Sequence, residues 1–123
     1  IQAIMKYAIM ILVAGLLTSC YQGKTVEPAP PGPCDTDTVS FINTVYTEII
    51  NPNCNTSGCH DAASNSAGYT FESHAQISSN ATTINDVINH NSGVTPMPLG
   101  QPKMADSLLQ AFNCWIEQGL QDN

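Results

Sequence analysis

The sequence predicts a small all-α domain of about three to five helices joined by long loops, and three observations carry that expectation. Apolar residues recur at helical spacing in two stretches, Val39 to Ile49 and Leu108 to Ile116. No segment alternates apolar and polar residues as a half-buried strand does, and no internal repeat is visible. The length of 123 residues supports one compact domain.

The elements follow in order. Val39, Ile42, Val45 or Tyr46, and Ile49 define a first helix over residues 38–50, with Asp35, Asp37 and Thr38 as capping candidates and Pro52 as its stop. Residues 72–79 and 82–90 carry weaker helical patterns separated by Asn80, with Ile77, Ile84, Val87 and Ile88 as buried positions. Leu108, Leu109, Phe112, Trp115 and Ile116 form the stripe of a last helix over 106–119, with Asp106 or Ser107 as N-cap and Gly119 near its end. Between these lie loops over residues 51–69 and 91–103, long for so small a domain and in need of something that orders them.

Composition narrows the function classes. Three Lys against ten acids give a net charge of -7. A phosphate backbone repels such a surface, so nucleic-acid binding is not expected. Five cysteines in so short a chain point to disulfides, metal ligation or covalent cofactor attachment.

The N-terminal region speaks to compartment. Lys6 precedes an apolar run from Tyr7 to Leu17, about half of the roughly 20 residues that a membrane-spanning helix needs, and so reads as a signal-peptide core. Residues 1–4, ahead of Met5, read as an upstream lead-in. The run closes in Leu17-Thr18-Ser19-Cys20, which resembles the lipobox of bacterial lipoproteins. That resemblance implies cleavage after residue 19 and acylation of Cys20; an ordinary secretory signal is the plainer alternative, and both export the chain. Past the cleavage site Lys24 and Lys103 face the same ten acids, a net charge of -8. Residues 20–33 carry Pro28, Pro30, Pro31 and Pro33 and read as a semi-rigid tether, with the folded unit over 34–123. Lipid, tether and domain together are the layout of a membrane-anchored protein of the cell envelope, periplasmic or outer-membrane associated. Tyr21 after Cys20 does not resemble the Asp of inner-membrane retention and favours the outer membrane.

Chemistry concentrates in the two long loops. Residues 54–60 read Cys-Asn-Thr-Ser-Gly-Cys-His, and residues 95–98 read Thr-Pro-Met-Pro. With the closing segment Cys114-Trp115-Ile116-Glu117-Gln118-Gly119, this set resembles a small class I cytochrome c over essentially the whole chain after the tether. The resemblance implies one covalent haem c, attached through Cys54 and Cys59, with His60 as proximal iron ligand and Met97 as the sixth ligand. It implies a cytochrome c-like fold wrapped around that haem, and a carrier of single electrons rather than an enzyme. An open sixth position, as in a small peroxidase or gas sensor, keeps the haem but changes the role. The departure is spacing: four residues separate the cysteines where the common motif has two.

Other readings of the same residues stand beside this one. Cys54 and Cys59 also suit a short disulfide, which makes the chain a cofactor-free, disulfide-stapled lipoprotein serving as a binding or structural module. A zinc site on Cys54, Cys59 and His60, with Cys34 or Cys114 as a further ligand, suffers from the awkward chelate of the adjacent Cys59 and His60. His90 and His74 compete with Met97 for the sixth position, and Met104 lacks its proline flanks. Once Cys54 and Cys59 are assigned to haem, Cys34 and Cys114 remain, either as thiols or as a bridge closing a loop worth roughly 4 to 5 kcal/mol. Tyr69, Phe71, Leu99, Leu108, Phe112 and Trp115 are expected to wall the haem pocket, each with plain helix packing as its alternative. His60 is expected to donate its second ring N–H to a backbone carbonyl. The acidic surface points to redox partner proteins with a basic docking patch, or serves solubility alone.

Overall fold

Ser40 begins the first helix: its side chain accepts from the Asn43 N–H at 3.2 Å, satisfying one of the donors that a helix start leaves open. The computed structural model describes residues 32–123, and the expected signal, the expected lipidation at Cys20 and the expected tether before Gly32 lie outside them. Helix α1, Phe41–Ile50, winds with π-type bonds such as Val45 N–H to Ser40 O at 3.2 Å. This wide winding selects Phe41, Val45, Ile49 and Ile50 as the buried face. Ile42, which shares the helical spacing of Val39 and Ile49, is instead 51% exposed, and Val39 and Tyr46 are only partly buried. Pro52 does not stop the helix; it occupies the first positions of a further turn, Asn51–Asn53, where its missing N–H costs nothing.

Helix α2, His74–Ser79, opens on a capping box in which Ser73 Oγ accepts from Gln76 N–H while Gln76 Oε1 accepts from Ser73 N–H. Helix α3, Ala81–Ile88, follows after Asn80 and buries Ala81, Ile84 and Ile88. It ends short of the expected residue 90, because His90 turns the chain with φ at +55°. Helix α4, Asp106–Glu117, starts after Ala105, which makes no side-chain cap, so Asp106 is not the N-cap but an acid in the first turn, where it complements the helix dipole. At the other end Gly119 adopts φ +91° and the chain closes in a Schellman turn, with Gly119 N–H on Ile116 O and Leu120 N–H on Trp115 O, both at 3.0 Å. The fold is all-α, with no strand among the described residues. No helix among them is long and apolar enough to cross a membrane.

The core forms where α4 packs on α1 and α3, and α2 on α3. Trp115 and Phe112 sit fully buried at its centre, Trp115 with its ring 5.6 Å from that of Phe41. Truncating a buried aromatic of this kind costs roughly 3 to 5 kcal/mol. His74 lies edge-on to Phe41 and Trp115 and bonds the Leu120 carbonyl through Nε2 at 2.7 Å.

The two ends of the described chain are clasped together. Cys34 and Cys114 are joined by a disulfide with Cα atoms 5.0 Å apart. Beside it, Gln118 accepts from Val39 N–H and donates to the carbonyls of Cys34 and Asp37, each at 2.8 Å. Asn123 covers the start of α1, accepting from Phe41 N–H through Oδ1 at 2.7 Å and from Ile42 N–H through its main-chain oxygen at 3.1 Å. Everything between the clasped ends, including both long loops, is held as one closed excursion.

Candidate cofactor site

The loop after α1 is built by its own backbone. Cys54 N–H bonds Ile50 O at 2.8 Å, prolonging the helix, and Cys59 N–H returns to Thr56 O at 2.9 Å in a tight turn. Gly58 holds φ +84° at that turn, a conformation that costs a side-chain-bearing residue more. His60 N–H then reaches back to Cys54 O at 3.1 Å, and His60 O accepts from Phe71 N–H at 3.0 Å. The His60 ring packs on Phe71 with centroids 4.8 Å apart, and its Nδ1 lies 3.2 Å from the Tyr69 carbonyl. A carbonyl only accepts, so Nδ1 carries a proton, and in the neutral ring that leaves the lone pair on Nε2.

Cys54, Cys59, His60 and Met97 line one cavity of about 350 Å³. Tyr69, Phe71 and Leu99 line it as the sequence suggests, and α3 supplies a wall of Ile84, Val87 and Ile88 with Thr83 and Asn80 at its margin. The lining is overwhelmingly apolar, and no charged side chain is buried among the described residues. Met97 enters from the second long loop, its N–H bonded to Val87 O at 2.9 Å at the end of α3. The donor set and the apolar walls fit a porphyrin with an imidazole and a thioether available to its metal.

Three expected wall residues are elsewhere. Phe112 and Trp115 are spent on the contact between α1 and α4, and Leu108 packs against that same core. The stripe of α3 takes their place; its spacing marks it as buried, but nothing in the sequence says that it faces a cavity. Of the competitors to Met97, His74 is committed to Leu120 and lies in the core contact, Met104 packs on the core, and His90 is not a lining residue. His90 Nε2 instead lies 3.1 Å from the Met97 carbonyl.

Cys54 and Cys59 are both free thiols, Cys54 buried and Cys59 exposed, so the short bridge between them is not formed here. Burial, and secondarily the neighbouring Cys59, pushes the Cys54 thiol up to about 12. Among the described residues no three His, Cys, Asp or Glu side chains gather as a zinc ion requires. No protein-family model, curated protein or solved structure matches the chain.

Proposed function

We propose that the chain is an exported, membrane-anchored monohaem c-type cytochrome with a cytochrome c-like fold, carrying single electrons between redox partners. The observation that carries this reading is that Met97, distant in sequence, lines the same apolar cavity as Cys54, Cys59 and His60. Cys54 and Cys59 would hold haem c through thioethers, and His60 Nε2 and the Met97 sulfur would be the donors offered to its iron. Bound there, the haem supplies a one-electron iron couple.

The protein's own part is to position and to exclude. The bond between His60 Nδ1 and the Tyr69 carbonyl orients the imidazole. The apolar walls from α3 and from Phe71 would reduce the water around the bound group, which would disfavour the extra positive charge of its oxidised state. The four residues between the cysteines lie outside the helices, in the turn that closes from Cys59 N–H to Thr56 O, so the extra length disturbs no helical register. Nine of the ten acids lie in the described residues against Lys103 as the one Lys or Arg there, which suits a partner with a basic patch and a salt-sensitive encounter. The lipid on Cys20 and the proline tether would keep the domain at one membrane.

The test is a pyridine haemochrome spectrum after acid-acetone extraction, on protein produced with an active haem-attachment system. A haem c spectrum that survives extraction is expected. A colourless protein would sink the reading and leave the cofactor-free, disulfide-stapled lipoprotein in its place.

A further inference from the structure

We infer that His90 is the positioning residue that holds Met97 at the cavity. The inference rests on the cytochrome reading of the site and adds to it how the second loop is fixed. Two hydrogen bonds tie the Met97 peptide to the end of α3. Its N–H donates to Val87 O at 2.9 Å, and its carbonyl lies 3.1 Å from His90 Nε2. Because a carbonyl only accepts, Nε2 carries the proton and donates, and it cannot at the same time offer a lone pair to a metal. His90 therefore serves the Met97 arrangement instead of competing with it.

The backbone of His90 supports the assignment. It occupies the position one past the cap residue Asn89 of α3, with φ +55°, where helices most often place glycine because a side chain is disfavoured there. An imidazole at such a position is explained by what its ring does, and here the ring reaches across to Met97. The loop offers few substitutes. Asn91 is bound to Asp86, but the exposed residues Ser92 to Pro96 make no hydrogen bond among the described residues. Without the imidazole, the bond to Val87 O is the one hydrogen bond left to the Met97 main chain, on a helix whose side chains also wall the cavity.

The experiment compares the full-length holoprotein with His90→Gly and His90→Gln. Glycine relieves the backbone while deleting the ring, so the fold is retained; glutamine restores a donor near the place of Nε2. Three readouts separate the cases: the pyridine haemochrome, the far-red thioether-to-iron(III) charge-transfer band, and the reduction potential. Expected are unchanged covalent haem in all three proteins, a several-fold weaker charge-transfer band and a lower potential in His90→Gly, and recovery of both in His90→Gln. A band and potential in His90→Gly equal to those of the parent overturn the positioning role and leave the haem site intact. A parent that holds haem c but lacks the band overturns Met97 ligation and this role with it, and a parent without haem overturns the site reading itself.

Discussion

Replacing both Cys34 and Cys114 by alanine opens the covalent clasp, and the size of the effect follows from where the bridge sits. The two cysteines are 80 residues apart. In the chain-entropy account, releasing a loop of that length raises the entropy of the unfolded chain by an amount worth about 4.5 kcal/mol. The buried Cys114 sulfur adds about 1 kcal/mol of lost packing. A domain of this size has only about 5 to 14 kcal/mol of stability in total, so the double variant should be marginal. Urea unfolding followed by helical circular dichroism reads this directly. The midpoint should fall by roughly 2 to 4 M, while the slope rises slightly because the released unfolded chain exposes more surface. A loss of less than about 1.5 kcal/mol would refute the loop argument, since it would mean that the unfolded chain is already confined without the bridge.

Four other outcomes are expected. Gln118→Ala should cost about 2 kcal/mol in the same urea assay, because three hydrogen bonds to the entering chain are lost, and Gln118→Glu should not rescue it, because a carboxylate cannot donate to the Cys34 and Asp37 carbonyls. In chain made without haem attachment, Cys54 should alkylate at least about tenfold more slowly in the folded protein than in urea near neutral pH, since burial raises its thiol from 9.0 to about 12 and the rarer thiolate is only partly offset by its greater nucleophilicity. The sign of the linkage is that this thiol's contribution to stability is full below 9.0 and fades as pH climbs towards about 12, so the apo fold should weaken in strong alkali and a Cys54→Ala chain should lack that component. Met97→Ala should keep covalent haem yet lose the thioether charge-transfer band; a spectrum that hardly changes would indicate an open sixth position and a sensor or peroxidase role.

How much of this was legible in the sequence depends on the residue. The last helix was, because Leu109, Phe112 and Trp115 repeat at a spacing that only a helix buries, and Gly119 marks its end. Ile42 was misread because apolar spacing carries no record of winding: the same letters put Ile42 inward on a tighter helix and Phe41 inward on the wider one observed. Phe112 and Trp115 show the other limit, since burial is readable from a stripe and the identity of the burying partner is not. At the site, adjacency marks Cys59 and His60, and the proline flanks single out Met97. That α3 would wall the cavity, and that His90 would bind the Met97 carbonyl, depends on the path of a loop that has no periodicity to read.

The clasp of Cys34 to Cys114 also sets what a cut chain would be. A protease that severs the backbone within the exposed stretch from Ser92 to Thr95 leaves two fragments, one carrying Cys34, Cys54, Cys59 and His60, the other Met97 and Cys114. The disulfide keeps them a single molecule until a reductant is added. The imidazole and thioether sides of the cavity would then belong to separate chains, so each could be exchanged or labelled on its own and rejoined through the same bond.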